Sequence, residues 1–466
     1  MKKLELVFVP SIGRGHIVST VELAKLLINH DNRFSVTILI MSSPIVTTPT
    51  AYTQSVAKSF PSIRFIELPP IEPPPPSIKP GFQALSYFIE KHIPSVRKTL
   101  AELKANPVPI AGLVVDMFMR RMIEVASELG MPTYLYFTSG AAMLSFSLYL
   151  PTLDTQIATD FKDYPGELTI PGYVNPLSPL YVPPSLLTRN DGYNFFLDHA
   201  RKFVQTKGII INTLYEVEPF AIDSLANGPY PPVYPVGPLL NTQTESIEPK
   251  YEHIMKWLDN QPPSSVIFSC FGSRGAFSEP QVKEIAMGLE RSGIRFLWAL
   301  RQPPAEKFGM STDYANFKDV LPDGFLDRTS ERGMVCGWAP QVSVLAHKAI
   351  GGFVSHCGWN SILESLWYGV PILTWPLYAE QTLNAFALVK DLGLAVELRV
   401  NYIDGVDLIT AEEIERGVKC VMDNDSVIRR KVTAMKEISR TTKSDGGSSF
   451  ASLGRFIQDV TERIDV

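Results

Sequence analysis

The chain is predicted to be an α/β protein of two doubly wound domains whose parallel sheets face each other across a cleft. Three observations carry that expectation. Short apolar runs bounded by glycine, proline or polar residues alternate with stretches of helical period along most of the 466 residues, and such alternation leads to a parallel sheet covered on both faces. A polar stretch at 241–250, with Ile247 as its one long apolar residue, interrupts the pattern and marks an interdomain linker. Beyond it a strand, a glycine-bearing loop and a helix begin afresh, so that 1–240 and 251–447 are two similar halves with no shorter repeat.

In order, residues 4–9 form a buried strand, 11–15 a glycine loop, and His16 opens a helix that turns Val18, Val21, Ala24 and Leu27 inward. Strands follow at 33–41 and 63–68, and the proline cluster 69–80 makes an extended surface loop. A helix at 83–103 leads to an apolar strand at 110–115 that ends on Asp116. A helix at 119–129, a strand at 133–137 and an almost wholly apolar helix at 141–150 come next. Residues 151–186 are rich in proline and lack a period, which predicts a long loop region over the cleft, and 208–212 is the next strand. The second half starts with a helix at 251–259 and a strand at 266–270 that runs into the loop 271–275. A helix at 279–292, a strand at 296–300 and, from 411 onward, helices rich in charge complete it.

Composition narrows the function. The formal net charge of −5, from 43 basic and 48 acidic residues, gives no global positive field for nucleic acid or an anionic membrane. The four cysteines, Cys270, Cys336, Cys357 and Cys420, have no C-x-x-C spacing, which argues against a disulfide framework or structural zinc and for reduced thiols in the cytoplasm. Leu4 to Val9 is too short for a signal sequence, and no run approaches the roughly 20 apolar residues of a membrane helix. A cytoplasmic monomer without an integral membrane segment is expected.

The most informative stretch is 338–381, WAPQVSVLAHKAIGGFVSHCGWNSILESLWYGVPILTWPLYAEQ. Within it 351–355 reads as a buried strand, His356 to Trp359 as a tight turn, and Asn360 as the start of a helix ending near Gly369. The first turn of a helix leaves N–H groups without intrahelical partners at the positive end of the dipole, where a phosphate is the natural occupant. Gly358 allows close approach, and His356, Asn360 and Ser361 add donors. Glu364 is placed for the hydroxyls of a ribose, Trp338 for a stacked base, and Glu380-Gln381 for polyhydroxylated cargo. Taken singly each residue has a plainer reading: Ser361-x-x-Glu364 fits a capping box, the tryptophans fit a core or surface, and Glu380-Gln381 fits an exposed helix start. Their ordered occurrence points to a nucleoside diphosphate.

In its 44 residues, its W-A-P-Q, H-C-G-W-N-S, G-V-P and E-Q elements and its intervening Glu364, this stretch resembles the signature box of plant family 1 UDP-dependent glycosyltransferases. The likeness extends over most of the chain and is greatest to the members that glucosylate phenylpropanoids, flavonoids and terpenoids. It implies a GT-B type fold of two Rossmann-like domains, an N-terminal acceptor domain (1–240), a C-terminal UDP-sugar domain (251–447) and a last helix, 448–466, that returns to the first domain. It further implies an inverting transfer of glucose from UDP-glucose to a hydroxyl of a small lipophilic metabolite, giving a β-O-glucoside. The implied donor site is Ser273, Trp338, Ala339, Gln341, His356, Trp359, Asn360, Ser361, Glu364, Glu380, Gln381 and Thr138, with Gln381 matching users of UDP-glucose.

His16 is the expected base, since imidazole titrates near the required pH. Asp116, in the family's Val-Asp-x-Phe strand end, is expected to orient it. Arg14 departs from the small or apolar residues usual in that loop. Phe118, Phe146, Leu186 and Tyr378 are candidate acceptor contacts. No carboxylate cluster suits Mg²⁺ or Mn²⁺, so no metal or other cofactor is expected. Two other classes compete. A nicotinamide oxidoreductase is disfavoured because Val18 stands where the third glycine of a dinucleotide loop belongs and Met41-Ser42-Ser43 carries no acidic residue. A noncatalytic UDP-sugar-binding protein is made less attractive by His16 and Asp116.

Overall fold

In the computed structural model, residues 3–42, 50–241, 248–304, 311–399 and 406–463 are described; Ser43 and the greater part of the 241–250 linker lie outside them. The first sheet contains seven parallel strands: β1 (Leu4–Val9), β2 (Phe34–Ile40), β3 (Ile63–Glu67), β4 (Ile110–Asp116), β5 (Thr133–Phe137), β6 (Ile209–Ile211) and β7 (Val233–Pro235). Their order is β3-β2-β1-β4-β5-β6-β7. Every side chain of β1 is buried, as a strand covered on both faces requires. β1 pairs with β2 (Leu4 opposite Phe34) and with β4 (Leu6 opposite Gly112).

The second sheet follows β8 (Val266–Cys270) and β9 (Arg295–Ala299) with the two-residue ribbon β10 (Arg301–Gln302) and β11 (Thr312–Asp313), then β12 (Gly333–Cys336), β13 (Ile350–Ser355), β14 (Ile372–Thr374) and β15 (Ala395–Glu397). Apart from the ribbon, these strands lie in the order β12-β9-β8-β13-β14-β15, all parallel. In each sheet the chain moves outward in one direction and then crosses to the other side. The order therefore reverses between β1 and β4 and again between β8 and β13, and the crevice at the carboxyl ends of such a pair is where α/β sheets bind ligands.

Two contacts away from the crevice help to join the halves. The helix Ser448–Glu462 packs Leu453, Phe456, Ile457 and Val460 into the core of the first sheet, with the Phe456 ring edge-on to Tyr134 and Tyr234 at 5.2 and 5.4 Å. On another rim, the backbone N–H groups of Val174 and Asn175 donate to the Asp391 carboxylate at 3.2 and 3.1 Å, and Tyr181 meets Phe386 ring to ring at 4.7 Å.

The structure departs from the sequence pattern in the 151–186 region and around it. The apolar helix does not stop at Pro151 but spans Ala141–Gln156. Interior proline costs a helix about 3 kcal/mol, and burial of Leu150 and Leu153 on this nearly enclosed helix offsets it. Helices at Thr50–Ser59, Asp191–Phe203 and Pro219–Ala226 are not singled out by the pattern. The second has a legible signal, because the Asn190 side chain accepts from the N–H groups of Gly192 and Tyr193. Among the described residues no helix is long and apolar enough to cross a membrane.

Phe456→Ala removes a fully buried ring and is expected to cost roughly 3–5 kcal/mol, read as a lower urea midpoint. A loss under about 1 kcal/mol would show that the last helix is not integral to the first sheet's core.

Candidate active site

At the first reversal point, His16 lies in the first turn of the helix Arg14–His30, just after β1, and Asp116 is the last residue of β4. Nδ1 of His16 and Oδ2 of Asp116 are 2.7 Å apart, with side chains 24 % and 1 % exposed. A carboxylate only accepts, so Nδ1 carries the proton and Nε2 keeps a lone pair. The other Asp116 oxygen accepts from the Phe118 N–H at 3.1 Å, which holds the carboxylate in place. Enclosure by protein pulls the His16 pKa down, but the Asp116 charge, the hydrogen bond to it and the more distant Glu380 charge together outweigh that and leave it raised above 6.5. Thr138 Oγ1 stands 3.5 Å from Nδ1, and the half-buried Phe118 ring lies 5.5 Å from the imidazole.

At the second reversal point, β13 aims at the helix Trp359–Tyr368. Gly358 is its N-cap and no side chain caps its first turn. The helix begins earlier than Ser361-x-x-Glu364 would require for a capping box; instead Gln341 Nε2 donates to Ser361 Oγ at 2.8 Å and to Glu364 Oε2 at 2.7 Å. Burial raises the Glu364 pKa to about 7 against the lowering effect of Gln341. The His356 ring is wedged between two glycines: a Cβ at Gly272 or at Gly358 would stand 2.8 or 2.6 Å from its Nε2, so both positions require the missing side chain. Burial lowers the His356 pKa to about 4, which keeps the imidazole neutral. Its Nδ1 and Asn360 Oδ1 are buried without hydrogen-bond partners among the described residues.

The two points meet. A Cβ on Gly15 would lie 3.7 Å from Asn360 Nδ2, so the first turn of the Arg14–His30 helix faces the first turn of the Trp359–Tyr368 helix with room for little more than a methyl group at that point. Ser139 Oγ donates to Glu380 Oε1 at 3.3 Å, and Trp359 Nε1 donates to the Asn212 carbonyl at 2.6 Å. Trp338 is 37 % exposed, with one face 5.3 Å from the Arg301 guanidinium, and Arg301 is itself paired with Asp313 at 2.6 Å. Among the described residues no group of three or more His, Cys, Asp or Glu is arranged to hold a metal ion. A surface cavity of about 730 Å³ beside Met131, Lys207 and Arg463 lies at the amino ends of the first sheet, away from this crevice.

The family model for UDP-glucuronosyl and UDP-glucosyl transferases matches residues 197–440. The UDP-glycosyltransferase 71K1 of Malus domestica is 49 % identical over 479 residues, covering 99 % of either chain. The chain belongs to the UDP-glycosyltransferase family. UDP-glucose flavonoid 3-O-glucosyltransferase 6 of Fragaria ananassa is also 49 % identical, with 99 % of each chain covered. A crystal structure of a Siraitia grosvenorii transferase in complex with UDP superposes with a TM-score of 0.90 at 44 % identity, covering 98 % of this chain and 100 % of that one. UGT71G1 of Medicago truncatula, complexed with UDP-glucose, gives 0.88 at 44 % identity with 98 % of both chains covered. The fold is GT-B.

In this glycosyltransferase His16, Asp116, Thr138 and Phe118 gather at the first reversal point, and Ser361, Glu364 and Gln341 are hydrogen-bonded together beside the second. Ser273 is exposed on the loop after β8, and Ala339 is buried next to Trp338. Four expectations change. Trp359 is buried and its one donor is committed to Asn212, so its indole serves the contact between halves. Phe146 and Leu186 are at most 1 % exposed and belong to the core, so they line no open surface. Tyr378 sits on the donor side, its ring 6.2 Å from that of His356.

Gln381 is not part of an exposed pair: it is 3 % exposed and its Oε1 accepts from the N–H groups of Leu377 and Tyr378, both at 2.9 Å. Sequence reasoning missed Phe196, whose half-buried ring lies 6.3 Å from that of Phe118. It also missed Glu218, which accepts from the N–H groups of Ala141 and Ala142 at 2.7 and 2.9 Å. Phe196 follows once the helix after Asn190 is recognised; Glu218 has no local signal.

With His16 in the role of base expected from the sequence, which acts deprotonated, transfer by the glycosyltransferase is expected to rise with pH through a His16 pKa above 6.5. Asp116→Asn removes the charge that opposes burial, and should shift that limb to lower pH while lowering the plateau roughly 10²–10⁴-fold. The check is kcat/KM against pH with an acceptor that does not ionise in the range; an unmoved limb would remove Asp116 from this role.

Proposed function

We propose that the protein is an inverting UDP-glucose-dependent glucosyltransferase that forms a β-O-glucoside on a hydroxyl of a small lipophilic plant metabolite: a flavonoid, another phenolic or a terpenoid. The observation that carries this reading is the His16–Asp116 pair at one reversal point, opposite the uncapped helix mouth at the other, with Gly15 facing Asn360 between them. The Fragaria relative named a flavonoid 3-O-glucosyltransferase and an Arabidopsis thaliana flavonol 3-O-glucosyltransferase, 44 % identical over 482 residues, support the acceptor class.

In this reading residues 1–240 hold the acceptor, 241–250 link the halves, 251–447 hold UDP-glucose, and 448–466 complete the first domain. The uracil stacks on Trp338, whose other face is braced by Arg301, while Ala339 and Gln341 frame the base and ribose. Ribose hydroxyls donate to Glu364. The diphosphate settles on the first-turn N–H groups of the Trp359–Tyr368 helix, with His356, Asn360, Ser361 and Ser273 as further donors. Glu380, Thr138 and the amide N–H₂ of Gln381 meet the glucose. Phe118 and Phe196 offer an aromatic wall beside His16 to an apolar acceptor.

The acceptor proton passes to His16 Nε2 as its oxygen attacks the anomeric carbon, and the electron pair of the breaking C–O bond leaves with UDP. One displacement inverts the centre, so an α-linked donor yields a β-glucoside. The imidazolium that forms is stabilised by Asp116, and the base accounts for about 10²–10⁴ in rate. The remainder comes from positioning and from donors preorganised around the leaving group. The four free cysteines, three of them buried, fit a reducing compartment such as the cytoplasm.

The central test is mass spectrometry of products from UDP-glucose and a panel of phenolic and terpenoid alcohols, with linkage assigned. Wild type should give β-glucosides, and His16→Ala should keep UDP binding while losing most transfer; wild-type turnover in that variant would remove His16 as base. Separately, because Glu364 titrates near 7 and a hydroxyl donor favours its ionised form, uridine affinity is expected to fall as pH drops through about 7. Glu364→Gln should flatten that dependence, whereas an unchanged profile in calorimetry would contradict the ribose contact.

A further inference from the structure

Breaking the bond between the sugar and UDP leaves negative charge on the β-phosphate, yet the named donors at the helix mouth are uncharged. His356 is held neutral, Asn360 and Ser361 carry no charge, and Arg301 is engaged by Asp313 and the Ser311 carbonyl. Glu364 and Glu380 add carboxylates to the same crevice. The helix-mouth N–H groups and these neutral donors can hold a diphosphate, but they bring no full positive charge to match the charge that builds on it as it departs.

One cation stands on the loop that follows β8, at the second reversal point. Gly272, at φ 74°, presses that loop against His356. Two residues on, the Arg274 carbonyl accepts from Ser311 Oγ at 2.9 Å, and the Ser311 carbonyl accepts from Arg301, which lies over Trp338. The loop is thereby braced on its phosphate side by His356 and on its base side by the ribbon that backs Trp338. A Cβ on Gly275 would stand 2.1 Å from the Phe271 carbonyl oxygen, so the loop closes tightly and its path is set. The Arg274 side chain is exposed, and its guanidinium makes no hydrogen bond or ion pair among the described residues. Its charge reaches Tyr378, whose ring neighbours His356.

We propose that Arg274 is a diphosphate-binding residue whose guanidinium swings onto the β-phosphate and stabilises the leaving UDP. The proposal rests on the glucosyl-transfer reading and extends it by giving the leaving group a cationic partner. As the C–O bond breaks, its electron pair stays on the phosphate oxygen, and two guanidinium N–H groups donate to the phosphate without any proton leaving Arg274.

Calorimetry of wild type, Arg274→Met and Arg274→Lys with UDP and with uridine, at low and high salt, tests it. Arg274→Met should bind UDP about tenfold more weakly and with a shallower salt dependence, while binding uridine as wild type does. Arg274→Lys should recover part of the loss, since it restores the charge without the planar fork. Unchanged UDP affinity in Arg274→Met, or a parallel loss for uridine, would overturn the assignment. Wild type that fails to bind UDP would instead sink the transfer reading beneath it.

Discussion

The hydrogen bond from the Trp359 indole to the Asn212 carbonyl is the contact on which the site depends. It joins the first residue of the helix Trp359–Tyr368 to the loop beyond β6, and so sets one sheet's carboxyl ends against the other's. Thr213, next in the chain, donates to Glu218 at 2.6 Å, and Glu218 in turn holds the start of the Ala141–Gln156 helix. That helix starts beside Ser139, which reaches Glu380 across the crevice. Burial raises the Glu218 pKa, although Thr213 and the two backbone N–H groups act to lower it. A carboxylate so enclosed is tolerable only because its oxygens are well supplied with donors.

The electrostatics of the two half-sites are opposite in kind. On the acceptor side a charged partner overrides burial and raises His16. On the donor side burial acts on His356 unopposed and lowers it. The same residue type is thus pushed in opposite directions at the two points, and the difference is the presence of Asp116. Two buried polar atoms without partners among the described residues, on His356 and Asn360, lie beside an uncapped helix start.

Much of the fold was legible because strands and helices alternate with clear periods: the bounds expected for the strands Leu4–Val9, Thr133–Phe137 and Val266–Cys270 and the helix Glu279–Ser292 are those observed. Pro151 misled because a local helix breaker is outweighed by tertiary burial. Phe146 and Leu186 are apolar like any pocket residue, and only packing shows that they are sealed. The capping-box spacing at Ser361 and Glu364 was ambiguous in one dimension; the position of Gly358 as N-cap decides it. Contacts between residues far apart in sequence, such as Trp359 with Asn212 and Gln341 with Glu364, carry no local signal at all.

The helix Ser448–Glu462 packs against β7, β4 and the helix Arg14–His30 in the core of the first sheet, so that core is not complete until residues about 220 positions beyond β7 have been made. The half synthesised earliest is therefore finished last. Until then its apolar underside is open to solvent and to chaperones, and losing the helix that carries Leu453, Phe456, Ile457 and Val460 would expose that core again.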